Sequence, residues 1–224
     1  MGVVVVAAGR GIRAGGADPK QFRLVAGAPL VLHALRPFFQ HPRVAAVVLV
    51  VPEEVVAAPP AWLAELAGDR LRLAAGGAER QDSAQAGLAA LPAECRIVLV
   101  HDGARPLPDP DVTDAIIEHA REGRGAIAAI PLSDTVKEAD ASGAVVRTVV
   151  RERLWRAQTP QGFPRPLLER AFAAAAGGTP ATDEATLVER IGGTVVIVPD
   201  TARNLKVTTP EDFALAEILL RGAR

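Results

Sequence analysis

Two cations, Arg13 and Lys20, stand in one stretch of small residues that follows the first apolar run: Ala7-Ala8-Gly9-Arg10-Gly11-Ile12-Arg13, then Asp18-Pro19-Lys20-Gln21. Small residues directly after a strand let backbone N–H groups approach an anion, and two cations on one loop suit a polyphosphate. The stretch lacks the third glycine of a dinucleotide fingerprint and the Gly-Lys-Ser/Thr of a P-loop. A tight strand-to-helix turn is its plain structural alternative. Gly76-Gly77-Ala78-Glu79-Arg80-Gln81-Asp82-Ser83 is a second strand end running into a helix. Its double glycine allows positive φ or close backbone approach. Ser83 can bond a base edge, although helix capping by Asp82 or Ser83 accounts for the same residues. The third constellation is His101-Asp102-Gly103-Ala104-Arg105-Pro106. Asp102 and Arg105 can pair with each other, or hold a ribose hydroxyl, a metal ion or a phosphate. His101 reads as a half-buried structural residue with no partner for work as a base.

The second half adds Asp134-Thr135-Val136-Lys137, Arg151, Gln158-Thr159-Pro160-Gln161, Thr182-Asp183-Glu184 and Asn204-Leu205-Lys206-Val207-Thr208. Each alone reads as a turn, a cap or a solvated charge, and Asp183 and Glu184 suit a helix start whatever else they do. Only three of the 25 basic residues are lysines, however, and Lys20, Lys137 and Lys206 each fall inside one of these motifs. Lysine is a compact point charge and arginine a planar fork, so the two are not exchangeable at a phosphate.

These residues need a frame. Apolar runs at 2–7, 45–51, 71–75, 97–101, 126–131 and 194–198 predict strands. Helical spacing predicts helices at about 29–40, 60–68, 79–91, 110–122, 165–176, 183–191 and 210–221. That alternation predicts an α/β fold: a mostly parallel sheet with helices on both faces. Ligands of such sheets sit outside the carboxyl ends of the strands, where the first three motifs fall. Residues 134–151 break the alternation as two extended segments around Ala141-Ser142-Gly143, which is hairpin chemistry. The hairpin is either a surface ornament or an arm that grips a neighbour.

A length of 224 residues suits one domain with a buried core. The formal charge of -1 gives no general attraction to nucleic acid or to an anionic membrane. Apolar runs such as 44–51 are strand-length and do not reach membrane length. A lone Cys95 excludes an internal disulfide and agrees with a reducing cytoplasm. Residues 1–8 enter an apolar strand with no basic segment before it, so no signal peptide is expected.

The ordered set AAGRGIR, PKQ, GGAERQDS, HDGARP, DTVK, TPQ, TDEA and NLKVT resembles the 2-C-methyl-D-erythritol 4-phosphate cytidylyltransferase family over essentially the whole chain. The resemblance implies a Rossmann-like nucleotidyltransferase domain with a β-arm that interlocks two subunits of a cytoplasmic homodimer. It implies CTP and a small sugar-alcohol phosphate as substrates, with Mg²⁺ held mainly by the CTP phosphates; which protein residue ligates the ion is left open, Asp102 being the candidate. Carried over residue by residue, it implies that Ala7, Ala8, Gly9, Gly11, Gly77 and Ser83 hold the nucleotide. Arg13 and Lys20 would bind the triphosphate and stabilise the transition state, and Asp102 and Arg105 would sit where nucleotide and sugar phosphate meet. Thr159, Thr182 and Lys206 would form the sugar-phosphate site, with Thr135 and Arg151 reaching it from the partner's arm. The chain departs from the family pattern at Val6, where proline is common, at Gly103 in place of the commoner alanine, and at Ala78, where an acid is frequent. The last change removes a carboxylate from the base site. The related ribitol 5-phosphate cytidylyltransferases are the nearest alternative, with residues 135, 151 and 182 as discriminators. A non-catalytic nucleotide-binding module is a second, but it has no need of three cations from distant segments.

Overall fold

A computed structural model describes residues 1–9, 19–66 and 70–222. The strands are β1 (Gly2–Val6), β2 (Leu24–Val25), β3 (Ala28–Pro29), β4 (Ala46–Val51), β5 (Leu71–Ala75), β6 (Ile97–Asp102), β7 (Gly125–Pro131), β8 (Val136–Ala139), β9 (Val145–Val149), β10 (Trp155–Pro164) and β11 (Val195–Pro199). The helices are α1 (Leu30–Gln40), α2 (Glu53–Ala57), α3 (Ala61–Leu66), α4 (Arg80–Ala90), α5 (Pro110–Arg121), α6 (Arg165–Ala174), α7 (Glu184–Arg190) and α8 (Pro210–Arg221). Seven strands form one sheet in the order β11-β7-β10-β6-β1-β4-β5. Its neighbours are parallel except β10, which runs antiparallel to both β6 and β7.

Successive strand residues point to opposite faces, and both faces are apolar. Val4, Val48, Val50, Val98 and Val100 pack with Leu88 of α4, Leu168 of α6 and Val188 of α7. Val3, Val5, Val47, Leu49 and Leu99 pack with Leu35 and Phe38 of α1, Leu63 of α3 and Ile116 of α5. A strand buried on both sides has to read as an unbroken apolar run, which is why these strands are visible in the sequence. Helix starts are fixed chemically. Asp109 accepts from the N–H of Asp111 at 2.8 Å with Pro110 at the first helical position of α5. Thr209 and Asp212 form a capping box ahead of α8. Among the described residues no helix is long and apolar enough to cross a membrane.

The predicted element set needs correction: the strand β10, the two-residue strands β2 and β3 and the short helix α2 lie where none was predicted. Strand β10 carries Gln158, Thr159, Pro160 and Gln161 in a buried, bulged stretch between β6 and β7, a pattern that apolar periodicity does not detect. The hairpin is present: β8 and β9 pair antiparallel as a separate two-stranded sheet, with Gly143 at φ +86 in its turn. Val145, Val146 and Val150 on it are exposed.

Candidate functional site

Three loops are drawn together at the carboxyl edge of the sheet by hydrogen bonds that extend the strand ladders. Ala7 N–H donates to Val50 at 2.8 Å, Gly76 N–H to Val51 at 2.9 Å, and Gly103 N–H to Val6 at 2.9 Å. Gly76 is glycine for space, with its φ outside the left-handed region: a Cβ there would stand 2.2 Å from that of Ala8. Ser83 holds this turn, accepting from Gly77 N–H and donating to the Glu79 carbonyl, both at 3.2 Å. The capping of α4 falls to Glu79 and Asp82, which form a reciprocal box. Gln21 ties the lysine-bearing turn 20–22 to β1 by donating to the Ala7 carbonyl at 2.7 Å. The result is a cleft of about 670 Å³ whose lining includes Ala7, Ala8, Gly9, Lys20, Gly77 and Ser83.

A smaller cleft of about 190 Å³ adjoins it, lined in part by Arg105, Gln158, Thr159, Thr182 and Asp183. Arg80, Asp102 and Lys206 line both clefts. Lys206 reaches this boundary because its segment docks on the turn after β6, where Val207 N–H donates to the Ala104 carbonyl at 2.8 Å. Asn204 secures the same segment: its amide donates to the Thr159 carbonyl at 2.8 Å, and its own carbonyl accepts from Arg105 at 2.6 Å and Gln158 at 2.9 Å.

Asp102 is the electrostatic centre. Its Oδ2 lies 2.8 Å from Lys206 Nζ and its Oδ1 3.2 Å from Arg80, whereas Arg105 Nε stands off at 3.9 Å. The Asp102–Arg105 pair contemplated from their spacing is therefore the weakest of the three. Burial pushes the Asp102 carboxyl up, but Arg80, Lys206 and Arg105 outweigh it and hold the group below the usual carboxylate range. Arg80 is pulled down by burial, yet Glu184 and Asp102 keep its guanidinium above its ordinary value.

His101 is fully buried, not half-buried as expected. Its Nε2 lies 2.9 Å from the Arg105 carbonyl, an acceptor only, so Nε2 carries the proton. Nδ1 then accepts from Thr159 Oγ1 at 3.0 Å, and the same hydroxyl accepts from Asp102 N–H at 3.0 Å. Burial lowers the imidazole to about 4. His101 is a neutral strut, with both ring nitrogens already engaged.

Arg13 and Gly11 lie outside the described residues. Thr135 and Arg151 line neither cleft of their own chain; both are exposed on the hairpin, where Arg151 donates to the Ser133 carbonyl. Lys137 is also on the hairpin and donates to Thr148 at 2.7 Å, so of the three lysines Lys20 and Lys206 reach the clefts. The sequence reading gave no role to Arg80 or to Glu184. Glu184 was expected only as a helix-start acid; it is 1% exposed and accepts two hydrogen bonds from Arg80. Glutamate next to an N-cap already supplied by Asp183, which accepts from Thr186 N–H at 2.9 Å, was the one available signal.

Among the described residues no group of three or more His, Cys, Asp and Glu side chains is placed to hold a metal ion. Asp102 is the one described carboxylate common to both clefts. The geometry offers a glycine-lined nucleotide-sized cleft, a polar side pocket, and cations on the line between them. That is equipment for bringing two anions together.

Comparisons with known proteins agree. The family model described as 2-C-methyl-D-erythritol 4-phosphate cytidylyltransferase matches residues 1–222. The chain is 41% identical over 225 residues to the protein of that name from Dehalococcoides mccartyi strain CBDB1, across 100% of this chain and 97% of that one. It is also 41% identical over 219 residues to the bifunctional enzyme IspD/IspF of Desulfotalea psychrophila, across 98% of this chain but 56% of that longer relative. The chain thus spans about half the length of that relative. The crystal structure of 2-C-methyl-D-erythritol 4-phosphate cytidylyltransferase from Thermus thermophilus superposes with a TM-score of 0.80 at 34% identity, covering 97% of this chain and 98% of that one.

Proposed function

The chain belongs to the 2-C-methyl-D-erythritol 4-phosphate cytidylyltransferase family, and from that premise we propose that it joins CTP to 2-C-methyl-D-erythritol 4-phosphate, forming 4-diphosphocytidyl-2-C-methyl-D-erythritol and pyrophosphate in isoprenoid biosynthesis. The observation that carries this reading is the pair of adjoining clefts that share Arg80, Asp102 and Lys206. The larger takes the nucleotide against Ala7, Ala8, Gly9, Gly77 and Ser83. The smaller takes the sugar-alcohol phosphate against Arg105, Thr159 and Thr182.

A phosphate oxygen of the sugar-alcohol phosphate attacks the α-phosphorus of CTP, and the bond to the β-phosphate oxygen breaks. The second pKa of a phosphate monoester is about 6, so at neutral pH the nucleophile is already a dianion. No side chain has to remove a proton, and His101 has no site left for one. The obstacle is repulsion between two anions. Lys20 and Arg13 meet the triphosphate, while Lys206 guides the attacking phosphate along the cleft boundary. Fixed charges of this kind act through preorganisation in a partly dehydrated site.

Asp102 suits Mg²⁺, which takes one or two carboxylates and otherwise phosphate and water oxygens. Its buried carboxylate stays ionised. When bound, the ion neutralises phosphate charge. The exposed valines of the hairpin support a homodimer in which each arm crosses to its partner and presents Thr135 and Arg151 to that subunit's smaller cleft. The lone buried Cys95 accords with a cytoplasmic setting.

The test is pyrophosphate release with CTP and each of two acceptors, 2-C-methyl-D-erythritol 4-phosphate and ribitol 5-phosphate. Turnover with the former is expected. Turnover with ribitol 5-phosphate alone would reassign the smaller cleft, and binding of CTP without turnover would reduce the protein to a nucleotide-binding module.

A further inference from the structure

We propose that Glu184 and Arg80 are positioning residues, fixing the Asp102 carboxylate and through it Lys206 at the line where the two clefts meet. This rests on the function proposed above. Glu184 accepts from Arg80 Nη1 at 2.7 Å with one oxygen and from Nη2 at 3.1 Å with the other. Arg80 Nε donates to Asp102 Oδ1 at 3.2 Å. Each of the three guanidinium nitrogens already donates to a carboxylate, so most of the fork is committed to Glu184 and Asp102 even though Arg80 lines both clefts. With Oδ1 held, the remaining oxygen of Asp102 faces Lys206 at 2.8 Å. The run Glu184–Arg80–Asp102–Lys206 starts inside the protein and ends at the proposed site of the attacking phosphate.

Burial makes this costly. It pushes the Glu184 carboxyl up, and Arg80 is the charge that opposes it. An apolar pair of similar volume commonly stabilises a fold as well as a buried ion pair does, so fold stability alone gives little reason for charges here. The competing account is that the pair only ties the start of α4 to the start of α7. Gln81 already serves that purpose, accepting from Ala181 N–H at 3.0 Å. A tie loses stability when cut; a positioning pair loses turnover.

The experiment compares Glu184→Gln, Arg80→Lys and the double variant with wild type by thermal unfolding, CTP binding calorimetry and steady-state pyrophosphate release. Glutamine keeps the shape of Glu184 and removes its charge; lysine keeps the charge of Arg80 and removes its fork. Each single variant should lose about 10–100-fold in kcat, the scale of a small misplacement of reacting groups. CTP affinity should stay within about threefold, and the double variant should be no worse than the poorer single, because the residues act as one unit. Wild-type kcat per folded molecule in Glu184→Gln, with only a lower unfolding temperature, would overturn the proposal, as would multiplying losses in the double variant. If Glu184→Gln does not fold, Arg80→Lys decides by the same criteria. A crystal structure of the folding variant gives a readout free of activity. The Asp102–Lys206 pair should open, and an unchanged pair overturns positioning even if the wild type turns over neither acceptor, the result that would separately refute the functional reading.

Discussion

Lys20 Nζ donates at 2.9 Å to the carbonyl of Val207, the residue that follows Lys206. One cation from the loop after β1 is thus anchored to the segment that presents the other. Truncating Lys20 to alanine should therefore disturb the alignment of the two substrates more than the hold on either. Lys20→Ala and, by the role assigned to it, Arg13→Ala should lower kcat by about 10²–10³-fold. CTP binding should weaken far less, since the charges act mainly on the transition state. Steady-state kinetics alongside binding calorimetry separates the two. An unchanged kcat with only a raised KM would show that Lys20 serves ground-state binding.

Asp102 is itself buried, and stands against a partly exposed Arg80 and an exposed Lys206. Asp102→Asn removes the anion shared by these cations, but Arg80 keeps Glu184 and the Lys206 side chain is 42% exposed, so the expected cost is about 1–3 kcal/mol of stability, less than for a fully buried pair. Urea unfolding measures it. A loss under about 1 kcal/mol would place this cluster in the class of solvated surface pairs.

His101 makes stability depend on pH in a defined window. Its imidazole lies at about 4 in the folded protein against 6.5 in an open chain. Between those values the unfolded state binds more protons, so stability is complete above pH 6.5 and falls as pH drops toward 4. The whole window is worth about 3 kcal/mol. Urea midpoints at pH 7.5 and pH 4.5 should diverge more in wild type than in His101→Gln, where this residue cannot titrate. Equal divergence would mean that other groups set the acid limb.

Nucleotide choice follows from Ala78, which lines the larger cleft beside Gly77 with no carboxylate to offer. CTP should still be preferred over UTP, ATP and GTP through backbone groups at Gly77. Ala78→Asp should sharpen the preference for CTP over UTP by adding an acceptor for the exocyclic amine. Competition assays with paired nucleotides read this directly; equal use of UTP and CTP by the wild type would contradict it.

How much of this was legible depended on whether a signal was local. Strands such as β4 are apolar on both faces and announce themselves in sequence. Strand β10 does not: Gln158, Thr159 and Gln161 are buried there because each finds partners in other segments, among them Asn204, His101 and Asp183. Proline at 160 also argues against a central strand. The cleft residues Ala7, Gly77 and Asp102 were legible because they sit at strand ends in ordered motifs. The Arg80–Glu184 pair was not, since either residue has a sufficient local explanation at its helix start. Their meeting depends on how α4 and α7 pack over the sheet, which no spacing within one motif encodes.

The hairpin gives the last prediction. Thr135 and Arg151 belong to motifs that the family resemblance assigns to the sugar-phosphate site, yet neither lines a cleft of its own chain. Val145 and Val146 on the same hairpin are 61% and 60% exposed, apolar surface that a two-stranded ribbon does not cover by itself. Both facts are met if the arm crosses to a second copy, and reciprocal exchange closes under two-fold symmetry. Arg151→Ala and Lys206→Ala homodimers should then each be nearly inactive, because every site lacks one of the two cations. Unfolding the two together and refolding them should restore activity. In the mixed dimer one site joins an intact body to an intact arm and the other carries both lesions. Random pairing should accordingly recover roughly a quarter of wild-type sites, as expected for one closed two-fold interface. No recovery, with subunit exchange proven by differently tagged chains, would mean that Arg151 acts within its own subunit and that each site is complete in one chain.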